Sequence, residues 1–350
     1  MTPAPTPALP PPCPGPIPDA LPFSPDAPWL APLAGYSDLP FRLLCRHYGA
    51  AVCVTEMVSA KGLVHGSPGT ADLLRTLPAD QPLVVQLFGA EASFLGRAAA
   101  LLRDAGYGWF DLNMGCSVPK VIKQGAGAAM LRDTGNALDV ARALIAAAAP
   151  GHAGFKLRLG FDGAHHVCHD LALRLQDLGA GWITLHPRTA RQGFGGVADH
   201  DAIAQLVRRL SIPVIASGDL FSANDGITCI RATGARTVMY ARGALHNPSI
   251  FHDHAALLAG RDPLPADPAR LAALITLHMA LIRRFASPEH PDAAVWKMRS
   301  VVPRYVKHLP GAKALRLALC RCHSWEEIHA ALAQNLGPLP GIENTTTKEE

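Results

Sequence analysis

Short apolar segments alternate along this chain with longer segments of helical periodicity. The short segments are rich in apolar and β-branched residues and predict buried strands. They lie at Trp29–Ala34, Ala51–Thr55, Leu83–Phe88, Trp109–Asn113, Gly154–Leu159, Trp182–His186, Pro213–Ser217 and Thr237–Tyr240. The segments between them are rich in Ala and Leu, as in 90–105, 136–148, 166–178, 199–210 and 222–232. Strands that alternate with helices indicate right-handed βαβ units in a parallel sheet.

The number and spacing of these strands favour a closed (β/α)₈ barrel, the TIM barrel, over an open doubly wound sheet. An open dinucleotide-binding sheet normally carries a GxGxxG turn after its first strand. Here that position reads Ala34-Gly35-Tyr36-Ser37-Asp38, with a single glycine. We therefore expect residues 29–255 to form a TIM barrel.

The strand pattern stops after Phe251, and residues 268–286 and 293–335 have helical periodicity. This predicts a small all-α domain over 256–336. Residues 261–325 contain eleven Arg and Lys against four acids, whereas the whole chain has a net charge of only +4. The positive charge is thus concentrated in the predicted helical domain.

The two ends of the chain differ in composition from the rest. Residues 1–28 contain 12 of the 31 prolines, which predicts a disordered, extended tail. Residues 337–350 are expected to form a polar C-terminal tail.

Several protein classes are excluded by composition. No apolar run reaches the roughly 18–20 residues that cross a bilayer, and the N-terminus lacks the layout of a secretory signal. The eight cysteines include no CxxC pair and suggest no disulfide framework, so a reducing, cytoplasmic location is expected. The cluster His165, His166, Cys168 and His169 matches no defined metal site, and no metal is predicted. Nothing indicates a membrane or an obligatory protein partner.

Polar residues occupy the carboxyl ends of the predicted strands, where TIM barrels carry their chemistry. Gln86, Asn113, Lys156 and His186 each lie toward the carboxyl end of a largely apolar strand. A single polar residue there is commonly structural, but several at equivalent places predict one polar site. Because strand side chains alternate, Lys156 and Arg158 face the same side and indicate an anionic ligand.

Two further features refine this site. Ser217-Gly218-Asp219 and Ala241-Arg242-Gly243 follow the last two strands, where barrels often bind phosphate through backbone amides. Either could also be an ordinary tight turn. Cys116 follows Asn113 in a glycine-containing loop near Lys120 and Lys123, and is the one cysteine that we expect to be reactive.

At the level of motifs the chain resembles the tRNA-dihydrouridine synthases over about residues 29–252. The resemblance rests on segments in the family's order: 30–38, Thr55-Glu56-Met57, Gln86-Leu87-Phe88-Gly89, Asp111-Leu112-Asn113-Met114-Gly115-Cys116, 156–160, His186-Pro187-Arg188-Thr189 and 241–244. Two positions depart from the family pattern. Ser117 replaces a proline after the cysteine, and Ser217 replaces an asparagine.

This resemblance implies an FMN enzyme that uses NADPH to reduce a uridine in the tRNA D-loop to 5,6-dihydrouridine, with the basic helices binding tRNA. Cys116 would be the general acid that protonates C5 after hydride reaches C6. Asn113, Arg158 and Arg188 would contact the uridine. The implied FMN contacts are Pro32, Leu33, Ala34, Gln86, Lys156, His186, Ser217, Gly218, Asp219, Ala241 and Arg242.

Two alternatives remain open. The same flavin residues would suit a barrel acting on a small molecule, of the dihydroorotate-dehydrogenase or ene-reductase kind. A tRNA-binding protein with little turnover is the other. The basic helical segment argues against the first, and bound flavin would argue against the second.

Overall fold

The computed structural model of the protein describes residues 10–337 except 164–165, 264, 266, 287–290, 308 and 310. Its strands are β1 Trp29–Leu30, β2 Val52–Val54, β3 Val58–Ser59, β4 Leu83–Phe88, β5 Trp109–Met114, β6 Ala153–Arg158, β7 Trp182–His186, β8 Val214–Ala216 and β9 Thr237–Tyr240. All eight predicted strands are present, which confirms the TIM barrel. The second predicted strand continues as β3 after a break at residues 55–57.

The sheet is parallel throughout and closes on itself. β1 pairs with both β2 and β9, with Trp29 in register with Val52 on one side and Met239 on the other. β2 and β3 both pair with β4, so together they occupy one position in the ring. The barrel thus has eight strand positions, and every strand ends at the same mouth.

The α-helices of the described residues are α1 Leu39–His47, α2 Ala60–Val64, α3 Thr70–Leu74, α4 Ala92–Asp104, α5 Pro119–Ile122, α6 Thr134–Ala147, α7 Cys168–Asp177, α8 His200–Arg209, α9 Ala223–Thr233, α10 Arg242–His246, α11 Ile250–Leu258, α12 Pro268–Arg284, α13 Pro291–Tyr305, α14 Ala312–Arg321 and α15 Trp325–Leu336. Several of these helices start at a residue whose side chain caps the helix. At α9, for example, Ser222 and Asp225 form a capping box. The barrel helices surround the sheet and bury its outer side chains.

The barrel interior changes from apolar to polar along the strands. Trp29, Trp109 and Trp182 lie near the amino ends, with Trp29 and Trp182 ring centroids 5.6 Å apart. Gly154 leaves room there, since a Cβ on it would overlap the Trp182 indole. Strand alternation then brings polar side chains to the inside, two and four residues farther along. The interior is therefore filled by aromatic side chains at one end and lined by polar side chains at the other.

The segment before β1 is not a disordered tail over residues 10–28. Leu21 and Ala27 are buried, and the barrel supplies donors to the segment's carbonyls. The Tyr107 hydroxyl lies 3.1 Å from the Pro11 carbonyl and 2.8 Å from that of Leu74, and the Trp29 indole N–H donates to the Pro22 carbonyl at 3.2 Å. Prolines lack the N–H that would otherwise need a partner, so an extended proline-rich chain can pack this way. Residues 1–9 lie outside the described residues, as does the predicted tail from 338 onward.

The helical region begins at Pro268 with α12. The predicted boundary at 255–256 falls inside α11, which continues to Leu258 and packs against α9 of the barrel. α12 packs against α1, and α13 packs against α10. The helical region thus rests on two barrel helices that follow strands of the site.

Candidate active site

A cleft of about 230 Å³ opens at the carboxyl ends of the strands. Small-molecule and cofactor sites are typically concave clefts in which a few polar groups converge. Most of the predicted site residues line it: Pro32, Leu33, Ala34, Asn113, Cys116, Lys156, Arg158, His186, Ser217, Gly218, Asp219, Ala241 and Arg242. Gln86 and Arg188 do not.

Lys156 lies on β6 and lines the cleft beside Arg158. Burial lowers its pKa, as does the neighbouring Arg158, while Asp111 acts in the opposite sense. Burial in turn raises the pKa of Asp111. The Asp111 Oδ1 atom has no hydrogen-bond partner, whereas its Oδ2 accepts from Gln86 at 2.6 Å. A buried amine held among these groups is suited to interact with an anion or a polar ring edge.

His186 lies at the end of β7 as an uncharged imidazole. Burial lowers its pKa to about 2, and Lys156, Arg158, Arg188 and Arg242 add to the effect. Gly218, with φ +112°, passes directly against the ring, and a Cβ there would lie 2.7 Å from His186 Cδ2. The ring can therefore donate or accept a hydrogen bond without adding charge to an already cationic site.

Asp219 organises two arginines at the far side of the cleft. Its carboxylate accepts two bonds from Arg188, at 2.6 and 2.8 Å, and one from Arg242 at 3.2 Å. Arg188 also donates to the carbonyls of Gly195 and Gly196 and is 1% exposed. The Arg188 guanidinium is therefore fully engaged beneath the surface, and the uridine contact expected for Arg188 stays a prediction. Asp219 holds Arg242 in place and cannot itself attract a phosphate.

Ser217 and Gln86 are also hydrogen-bonded to neighbouring groups of the protein, and their FMN contacts stay predictions. The Ser217 hydroxyl donates to the Met239 carbonyl at 3.2 Å and its N–H donates to that of Leu185 at 3.1 Å. Both donors of Ser217 are therefore used within the protein. Gln86 is fully buried; its amide nitrogen donates to Asp111, and its oxygen accepts from Asn113 at 2.8 Å. Gln86 therefore supports the cavity from the layer below.

The Cys116 loop is fixed by Asn113 and Gly127. The Asn113 Oδ1 atom accepts from the N–H groups of Gly115 and Cys116, at 3.1 and 2.8 Å. The Cys116 carbonyl accepts from Ala128 N–H at 2.9 Å. Gly127 has φ +61°, and a Cβ there would lie 2.6 Å from that carbonyl, so this position requires glycine. The loop presents Cys116 in the cleft while its backbone is held on both sides.

Arg158 is a rigid cation of the cleft wall. It donates to the carbonyls of Gly115, Thr189 and Gly193, at 2.8, 2.9 and 2.9 Å. Burial lowers its pKa to about 10, with Arg188 contributing, so it remains charged at neutral pH. The link to Gly115 ties Arg158 to the loop that carries Cys116.

The strand pattern does not predict two aromatic residues that line the cleft. Phe194 comes from the glycine-rich loop after β7, and Phe221 follows β8. The Arg242 guanidinium lies 4.3 Å from the Phe194 ring centroid and 4.7 Å from that of Phe221. Both rings are exposed, at 61% and 46%. They give the Arg242 side of the cleft an apolar border that charge patterning does not reveal.

Residues that could ligate a metal do not cluster in the parts of the chain that the structure describes. No group of three or more His, Cys, Asp or Glu within them could hold a metal ion. His165, a member of the cluster considered above, lies outside them. Across the same ranges, no helix has the length and apolar character needed to cross a membrane.

Comparison with known proteins decides the family. Residues 29–336 match the sequence profile of the family described as dihydrouridine synthase (Dus). The chain belongs to this family. That range covers both the barrel and the basic helical region, so the resemblance seen in the barrel motifs extends through the helices.

Relatives of this chain align over most of its length. It is 34% identical to a probable tRNA-dihydrouridine synthase 1 from Synechocystis sp., over 85% of this chain and 82% of that protein. It is 32% identical to a probable tRNA-dihydrouridine synthase from Mycobacterium tuberculosis, over 91% and 84%. The old yellow enzyme homologue from Zymomonas mobilis has 13% identity and a TM-score of 0.49, covering 69% of this chain and 90% of that chain. This last similarity is too weak to favour the ene-reductase alternative.

Proposed function

We propose that the protein uses FMN and NADPH to reduce a uridine in the tRNA D-loop to 5,6-dihydrouridine. Membership of the dihydrouridine synthase family supports an oxidoreductase that modifies tRNA. The cofactor, the reductant, the position in tRNA and the residue roles are parts of the proposal.

The donor set of the cleft fits FMN. Lys156, Arg158 and Arg242 provide cations, His186 is neutral, and glycine at position 218 places no side chain against the imidazole. Pro32, Leu33, Ala34, Lys156 and His186 would hold the ring. Gly218, Ala241 and Arg242 would hold the phosphate end, with Asp219 orienting Arg242. Bound FMN, once reduced, would supply the hydride that saturates the uracil C5–C6 bond.

Cys116 would supply the proton. Addition of hydride to C6 would move the C5–C6 π electrons onto C5 and the adjoining carbonyl, so C5 must then be protonated. The Cys116 thiol faces the cleft, and Asn113 and Gly127 fix its loop, which allows transfer of a proton to C5. Arg158, held rigidly by three carbonyls, would stabilise negative charge on the uracil oxygen.

The exposed cations of the helical region would hold the tRNA backbone. Arg283, Arg284, Lys307, Lys313, Arg316 and Arg321 are all exposed. Cations of this kind bind phosphates and make affinity dependent on salt. The target base would have to leave the tRNA stack to enter the cleft.

The convergence of Cys116, Lys156 and Arg158 on one cleft carries this proposal. Its test is incubation of the purified protein with FMN, NADPH and an unmodified tRNA transcript, followed by mapping of dihydrouridine. We expect FMN binding and dihydrouridine at one D-loop position. A protein that binds FMN but reduces only small enones or dihydroorotate-type substrates would favour the small-molecule alternative, and one that binds tRNA but no FMN would favour the binding protein.

A further inference from the structure

The turn after β1 links the cavity wall to a small network of internal bonds. Leu33, which lines the cleft, donates its N–H to the Ser37 hydroxyl at 2.9 Å. The Leu33 carbonyl accepts from the N–H groups of Tyr36 and Ser37, at 2.8 and 2.9 Å. Because these bonds close the turn on itself, a shift of Gly35 or Tyr36 must also move Leu33.

The Gly35 peptide of this turn is held from two different parts of the molecule. Glu56, in the break between β2 and β3, accepts a hydrogen bond from the Gly35 N–H. Lys297, on α13 of the helical region, donates to the Gly35 carbonyl at 2.6 Å. Gly35 has φ +78° and no atom within 4 Å of its would-be Cβ. Polar contacts rather than packing therefore fix its orientation.

The helical region makes two more contacts with the same turn. Lys297 forms an ion pair with Asp38 at 2.8 Å, with the two side chains only 19% and 28% exposed. Asp38 in turn accepts from the Phe41 N–H and caps α1. Arg304 lies about two turns after Lys297 on α13. It donates to the Tyr36 hydroxyl, and its guanidinium lies 4.5 Å from the Tyr36 ring centroid.

These contacts distinguish two groups among the cations of the helical region. Those named above as exposed face solvent, whereas Lys297 and Arg304 face the barrel. The resemblance implies tRNA binding for the basic helices without distinguishing the two groups. The partly buried geometry of Lys297 gives it a different task, because a charged hydrogen bond and ion pair of this kind stabilise one loop conformation.

We propose that Lys297 is a positioning residue that fixes the Leu33 turn, so that the helical region preorganises the FMN site. The inference rests on the proposed function, since Pro32, Leu33 and Ala34 serve FMN only if FMN is the cofactor. Without the Lys297 ammonium, the left-handed Gly35 peptide loses the partner of its carbonyl. The turn then samples other conformations, and FMN must order it on binding, which weakens affinity.

The test measures FMN affinity by quenching of flavin fluorescence in the full chain, alongside thermal unfolding of the apoprotein. Lys297→Met is compared with Lys61→Met, which removes an exposed ion pair to Glu91 whose side chains are 61% and 57% exposed. We expect Lys297→Met to raise the FMN dissociation constant about tenfold. Lys61→Met should leave it within about twofold. Lys297→Arg, which keeps the charge, should recover most of the affinity.

Unchanged affinity in a folded Lys297→Met protein would overturn the inference, as would an equal loss in Lys61→Met. If Lys297→Met does not fold, Arg304→Met is measured instead, with the same rise expected and unchanged affinity again overturning the inference. Wild-type protein that binds no FMN contradicts the proposed function itself, which separates the two failures.

Discussion

The two ends of the barrel interior are built from the same strands but have opposite chemistry. Near the amino ends, Trp109 stacks on His152 with ring centroids 3.9 Å apart, and Trp182 packs between Trp29 and Trp109. Four residues farther along the same strands stand Asn113 and His186, which line the cleft. The closed end is expected to contribute stability and the open end chemistry, so substitutions at the two ends should have separable effects.

The largest expected effect is on stability, from Trp182→Ala at the closed end. Trp182 is 1% exposed and contacts Phe23, Trp29 and Trp109. Truncating a buried tryptophan should lower the free energy of unfolding by about 3–5 kcal/mol. Denaturant unfolding measures this. A loss below about 1 kcal/mol would show that the aromatic cluster does not stabilise the barrel.

Cys116→Ala at the open end should affect the reaction instead. We expect dihydrouridine formation to slow by about 10²-fold or more, because the proton donor is lost. Reduction of bound flavin by NADPH should continue at the wild-type rate. Single-turnover measurements of the two steps check this, with Cys320→Ala, at an exposed cysteine of α14, as the matched control. Equal loss of both steps would contradict the acid role.

Acidification should lower the free energy of unfolding, because the folded chain keeps His186 neutral. Because its pKa is lowered to about 2 from an ordinary value of 6.5, the unfolded chain binds a proton below pH 6.5 that the folded chain does not. Stability is therefore lost as pH falls, by about 1.4 kcal/mol per pH unit from this group. Denaturant unfolding of wild type and His186→Asn at pH 7, 6 and 5 tests the point. The variant should show a shallower decline, and parallel curves would contradict it.

The smallest effect is expected on the helical surface. Lys307→Gln combined with Arg316→Gln removes two exposed cations and should weaken tRNA binding severalfold. It should also reduce the slope of log affinity against log salt by roughly 0.7–0.9 for each lost phosphate contact. Filter binding over a salt titration measures both quantities. An unchanged slope would mean that these side chains do not contact phosphate.

The sequence predicts the barrel and the polar cleft well because both depend on local periodicity. Buried parallel strands are continuous apolar runs, and alternation correctly places Lys156 and Arg158 on the same cleft. Arg188 lies beyond the end of β7, where alternation no longer determines direction, and there its pairing with Asp219 depends on tertiary structure. Whether Lys297 and Arg304 face tRNA or the barrel likewise depends on how α13 packs. The proline-rich segment looked disordered because its partners, such as Tyr107, are distant in sequence.

The packing of the Trp182 indole against Gly154, which leaves no room for a Cβ at position 154, has an evolutionary consequence. β6 and β7 are neighbours with Gly154 and Trp182 in register, so the two positions share one fixed volume at the floor of the barrel. Relatives with a bulkier residue at the first position should carry a smaller one at the second. The two sites are therefore expected to covary across the family, independently of any change in the reacting groups.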